Sequence, residues 1–224
     1  MNLKQKLLAL GIAFAGGLGN SLPANAGDFE VTITNLTRGQ RFTPILVASH
    51  KAGVKLFALG QPASPELAIL AEEGDTAPLT GLLAAMPKVL DVTDSGALLN
   101  PGASVSLKVK TRGAFNHLSV ASMLIPTNDG FFALNGIAGP WDRRMATHTS
   151  IAYDAGSERN DELCASIPGP SFAECGGPGG GGKPTGGEEG YVHIHAGIHG
   201  IGDLNAADRD WRNPVAHIVI RRLP

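Results

Sequence analysis

The chain is poor in several things, and each shortage removes a class of function. Lysine and arginine (18) do not outnumber aspartate and glutamate (20), and the formal charge is −2. No basic surface is available to neutralise a phosphate backbone, so nucleic acid is excluded as a partner. Two tryptophans and two tyrosines give little support to glycan recognition through surface aromatics. Beyond residue 26 no apolar run approaches the roughly 20 residues that cross a bilayer. The glycine-rich stretch 176–187, GGPGGGGKPTGG, is not a phosphate loop, because Lys183 is followed by Pro184 and a strand rather than a helix comes next. It reads as a flexible surface loop. No residue pattern marks a nucleophile with its base, so an enzyme is not the expectation.

Cysteine is scarce too, with Cys164 and Cys175 the one pair. Residues 1–26 explain what that pair implies. Lys4 and Lys6 precede the apolar run LLALGIAFAGGL (7–18), and Ala24-Asn25-Ala26 supplies small residues for cleavage. This is the pattern of an export signal, an N-terminal anchor being the alternative. The domain then spans residues 27–224, and its location is periplasmic or secreted. In such a compartment an even pair of cysteines forms a disulfide.

What the chain has in quantity is short β-patterned runs. Phe29, Val31 and Ile33 alternate with Glu30, Thr32 and Thr34, a half-buried strand. Further strands are expected at 44–50 (PILVASH), 104–110, 117–125 (HLSVASMLI), 130–134, 150–154, 191–197 (YVHIHAG) and 214–223, while 54–60 is ambiguous. Ser64, Pro65 and Gly74 bracket a helix, and Leu79, Leu82, Leu83 and Met86 share one face of a second, which Pro87 ends. About eight strands separated by Gly, Pro and Asn turns give a mainly β fold, an antiparallel β-sandwich. A short helical insertion covers one edge or end.

Two loops carry carboxylates. Asp129 lies in the turn sequence Pro-Thr-Asn-Asp-Gly, and Asp154 and Glu158 flank Gly156 in Asp-Ala-Gly-Ser-Glu. Oxygen ligands from two sandwich loops suit a hard cation such as calcium, with Asn160 and Asp161 as spare donors. Acids in turns also serve simply to cap backbone amides. The motifs RFTPILVASH, MLIPTNDGFFAL and YDAGSERNDE, in that order, resemble the spondin N-terminal domain. The likeness runs from about residue 29 to 222. That domain occurs in animal matrix proteins and as a stand-alone exported bacterial protein. The resemblance implies a C2-like β-sandwich with one calcium held by three acids, here Asp129, Asp154 and Glu158. The animal pattern has aspartate where this chain has Glu158. It also implies a binding or adhesion module whose partner is an extracellular or cell-surface protein or glycan.

A second group stands in EEGYVHIHAGIHG (188–200). On a strand Tyr191, His193 and His195 share one face, with His199 after a turn. Three imidazoles suit copper or zinc, and this leaves open a His-dependent metalloprotein or metalloenzyme. Half-buried sheet histidines with hydrogen-bonded rings are the structural alternative. His50, His117, His148 and His217 are expected to be structural. GDLNAADRDW (202–211) lacks the EF-hand spacing and reads as a solvated turn, some of whose acids could orient the histidines.

Overall fold

The structure is a computed structural model and describes residues 26–140, 144–169, 172, 174–176, 179–181 and 186–224. Residues 1–25 of the expected export signal lie outside the described residues, and so does part of the glycine-rich stretch.

The alternating segment lies in β1 (Ala26–Asn35), one of the two inner strands of the first sheet. It pairs antiparallel with β5 (Ser104–Arg112) on one side and with β11 (Ala216–Arg222) on the other, and β8 (Met145–Ser150) closes the order β5-β1-β11-β8. The second sheet has seven strands. Its main path is β10 (His193–Ile194), β9 (Ala152–Asp154), β7 (Gly130–Ala138), β6 (His117–Ile125), β3 (Leu46–His50) and β4 (Val89–Asp94), and β2 (Arg41–Phe42) pairs on β6. The expected mainly β sandwich is therefore what the chain forms.

The two sheets enclose one core. Phe29, Val31 and Ile33 of β1, with Ile218 and Ile220 of β11, meet Val47, Val120 and Phe132 from the second sheet. Burying each such side chain contributes about 1.5–3 kcal/mol.

The helices depart from expectation. α1 (Pro65–Glu73) begins and ends as its signals require: the Ser64 side chain accepts from Leu67 N, and Gly74 closes the helix in a left-handed conformation. α2 spans Ala77–Ala84, with Leu79 and Leu83 buried. They do not merely cover an edge or end. Leu67, Leu70, Leu79 and Leu83 pack on Leu46, Ala48, Ala121, Phe131 and Ala133, across the outer face of the seven-stranded sheet. The cause is visible in the strands. β3 and β6 are buried on both faces, so their apolar runs need cover on each side.

Sheet register positions the site. Gly130, at the start of β7, pairs with Asp154 at the end of β9, and Asp154 pairs in turn with His193 of β10. The β6–β7 turn, the loop after β9 and the histidine segment therefore meet at one end of one sheet. The histidine strand is shorter than the expected 191–197. Val192 instead exchanges backbone hydrogen bonds with Gly60 and Gln61.

Candidate metal centre

The first loop is braced from within. Thr127 Oγ1 donates to Leu124 O and accepts from Gly130 N at 3.0 Å, which fixes the turn holding Asp129. Asp129 then reaches the second loop: its Oδ2 accepts from Ser157 N at 2.7 Å and from Glu158 N at 3.0 Å. Asn128 extends the lacing, donating to Asp161 Oδ1 at 2.9 Å and accepting from Glu162 N at 3.2 Å. Gly156 makes the turn at φ 67°, a region glycine occupies without strain. A Cβ there would lie 2.3 Å from Tyr191 O, so the close approach of the histidine segment also requires glycine.

These contacts seal the acids from water. Asp129 and Asp154 are 0% exposed and Glu158 is 1% exposed. Burial, and after it the charge of Asp154, pushes Asp129 up to about 8 from its ordinary 3.8. Burial also raises Asp154, against the hydrogen bond from Asn160 and the proximity of His193, which pull it down. Asp154 Oδ1 accepts from Gly156 N at 2.8 Å, and its Oδ2 accepts from Asn160 Nδ2 at 2.6 Å. One oxygen is left over, since Asp129 Oδ1 is buried with no hydrogen-bond partner among the described residues. An orphaned carboxylate oxygen beside a second buried acid fits a hard cation.

The two expected groups of residues meet at Asp154. One oxygen or nitrogen atom each of Asp154, Glu189 and His193 lie within 4.8 Å of one another, the one such triplet of His, Cys, Asp or Glu among the described residues. The expected trio Asp129, Asp154 and Glu158 does not meet that spacing: Asp129 is a charge neighbour of Asp154 and accepts from the Glu158 backbone N–H. His193 Nε2 is 3.3 Å from Asp154 Oδ1, and His195 Nε2 is 4.0 Å from Asp154 Oδ2. The His195 ring is buried against Trp211, with centroids 4.9 Å apart. Burial, and then the charges of His193 and His199, push His195 down to about 4 from 6.5. His199 is exposed and turns elsewhere, lining a cleft with His195 and Asp210, while its N–H goes to Glu162.

Several residues have roles that sequence reasoning missed or misassigned. Asn160 acts through its amide, as a donor to Asp154, rather than as a spare oxygen. Glu162 is buried at φ 57°, and its carboxylate accepts from the amides of His199, Gly200 and Ile201 at 2.6, 2.7 and 3.0 Å. Glu189 stands in the histidine stretch four residues before His193, but its other neighbour, Asp154, comes from β9, which local sequence does not reveal. The 202–211 acids are structural: Asn205 caps α3 (Ala206–Arg209), Asp203 accepts from Cys164 N, and Asp210 accepts from Ile198 N. Asp210 is also a charge neighbour of His195. Cys164 and Cys175 form the expected disulfide, with Cα atoms 5.5 Å apart. His50 is buried and bonded to Lys51 O and Ser119 Oγ, and His117 bonds to Asn116. No helix among the described residues is long and apolar enough to cross a membrane.

Comparison with known proteins gives one family. The Spondin_N profile matches residues 33–158, more than half of the chain, and takes in both acidic loops while stopping short of the histidine segment. No curated protein matches the chain. With the two sheets in place and the matched span running from β1 through Asp129 and Asp154 to Glu158, the chain belongs to the Spondin_N family.

Proposed function

We propose that the protein is a non-enzymatic, calcium-binding β-sandwich that works outside the cytoplasm, periplasmic or secreted, as a binding or adhesion module. The observation that carries the calcium assignment is Asp129, a fully buried carboxylate whose Oδ1 lacks a hydrogen-bond partner beside a second buried acid. Two buried like charges are unfavourable unless a cation joins them. Asp129, Asp154 and Glu158 would hold the ion, completed by backbone oxygen and water, as calcium prefers. The ion supplies positive charge and cross-links the β6–β7 turn to the loop after β9. It thereby sets the shape of one end of the sandwich, where a partner would dock.

The disulfide supports an oxidising location. Adhesion to an extracellular or cell-surface protein or glycan rests on family membership. Calcium at about a hundred times its dissociation constant would add about 2.7 kcal/mol, or about 5–11 °C in melting temperature for a chain of this size. Thermal melts in calcium and in chelator test the assignment, and a melting temperature indifferent to calcium would overturn it. Chelator-sensitive binding of the purified chain to cells or matrix tests the module role.

A further inference from the structure

The hydrogen bonds of the half-buried His193 ring and the buried His195 ring assign their protons by elimination. His193 Nδ1 lies 3.1 Å from Ile194 O, and a carbonyl only accepts, so this nitrogen carries the hydrogen. In the neutral ring Nε2 then bears a lone pair. Asp154 Oδ1 lies 3.3 Å from that nitrogen, with no hydrogen bond formed between them. Two electron-pair donors are thus in contact, and a third, on Glu189, lies within 4.8 Å of both.

His195 has the opposite arrangement. Gly197 N donates to its Nδ1 at 3.0 Å, so Nε2 carries the hydrogen. That buried N–H has no partner and faces Asp154 Oδ2 from 4.0 Å. Its side chain is 2% exposed, so it cannot turn out to water.

We propose that Asp154, Glu189 and His193 bind a divalent transition-metal ion, distinct from the calcium position, beside the unpartnered His195 Nε2. An imidazole lone pair favours zinc, copper or nickel over calcium, whose ligands are oxygens. With bonds of about 2.0–2.2 Å, tetrahedral zinc holds its ligands about 3.4 Å apart, close to the His193–Asp154 spacing. The backbone carbonyl that fixes the His193 tautomer is the usual partner of a metal-ligating histidine. Asp154 would then be shared, one face turned to the oxygen-rich Asp129 side and the other to His193. Glu189 is exposed and His193 half-buried, so the ion has a path from solvent.

The site rests on Asp154 but not on calcium occupying the neighbouring position, and the test separates the two. The full chain is stripped with chelator, then titrated with zinc calorimetrically in excess calcium. One zinc per chain is expected. His193→Ala should weaken zinc binding more than about tenfold, and Glu189→Gln should weaken it less, while the calcium-dependent melting shift stays within about 2 °C of wild type. Cobalt in place of zinc should give visible ligand-field bands in the wild type that His193→Ala removes. Both substituted side chains reach the surface, and melts in calcium confirm folding. The inference is overturned if no zinc binds in excess calcium, if His193→Ala binds zinc as wild type does, or if zinc and calcium displace each other one for one. Zinc binding that persists without any calcium effect supports this site and sinks the calcium assignment alone.

Discussion

Replacing Asp129 by asparagine should stabilise or destabilise the protein according to whether calcium is present. The geometry permits a clean substitution. The amide oxygen can keep accepting from Ser157 N and Glu158 N, now bonded to Asp129 Oδ2 at 2.7 and 3.0 Å, while the amide nitrogen takes the place of the orphaned Oδ1. In calcium the variant loses a ligand charge and with it the ion's contribution. In chelator it loses a buried charge that opposed folding. The sign follows from proton linkage. Unfolded, Asp129 releases its proton near 3.8; folded, near 8. Between those values the folded state binds more protons than the unfolded one, so stability is highest at low pH and falls as pH rises toward 8.

The slope of that fall is at most about 1.4 kcal/mol per pH unit. His195 acts in reverse. Held at about 4 against 6.5, it makes stability rise with pH between those two values. The clean interval is therefore pH 6.5 to 8, where roughly 2 kcal/mol, or about 4–8 °C, should be lost by the ion-free wild type. Melts followed by circular dichroism at both pH values, in chelator and in calcium, form the assay. D129N should lose much less over that interval, exceed the wild type in chelator at pH 8, and fall below it in calcium. Subtracting variant from wild type cancels the other histidines. Two results would refute the account: an ion-free wild type whose melting is unmoved from pH 6.5 to 8, or a variant less stable than wild type under both conditions.

Three further outcomes are expected. E162A removes the acceptor for three amides, His199, Gly200 and Ile201, and should cost about 2–4 kcal/mol in urea unfolding, with faster hydrogen exchange at those amides; E162Q should cost less. G156A places a Cβ 2.3 Å from Tyr191 O at φ 67°, and should cost about 1–3 kcal/mol and weaken the calcium-dependent melting shift. Removing the Cys164–Cys175 disulfide, which closes a loop of sequence separation 11, should cost about 2–3 kcal/mol and lower melting by about 4–12 °C, with the β-sheet spectrum kept at room temperature.

What could be read from the sequence was what local chemistry dictates. Ser64, Pro65 and Gly74 delimit α1 because capping and backbone preference act within a few residues. Phe29, Val31 and Ile33 alternate because β1 faces the core on one side. The acidic turns were legible as turns for the same reason. β4 was missed because its residues are half-buried without alternation, and β2 because two residues show no period. The position of the helices was misjudged although PILVASH and HLSVASMLI carried the signal. A run apolar on both faces needs a layer on each.

Asp129 and Asp154 are two places where the fold departs from the rules that otherwise govern it. Their neighbours obey those rules: Phe131 and Phe132 fill the two cores from opposite faces of β7, one and two residues beyond the paired Gly130. Apolar residues of similar size at Asp129 and Asp154 would spare the chain the desolvation of two charges, and buried ionic groups are weak sources of stability in any case. Here the acids are seated by backbone amides and by Asn160, so their charged forms are held in fixed directions. Register then sets Asp154 beside the His193 ring. Protein groups alone leave this arrangement with two acids whose charged forms burial disfavours and with polar atoms that lack partners. The proposed cations, a hard one among the oxygens and a softer one at the nitrogen, would resolve both problems at once. The physical case for metal therefore rests less on any acidic motif than on the register that places Gly130, Asp154 and His193 side by side.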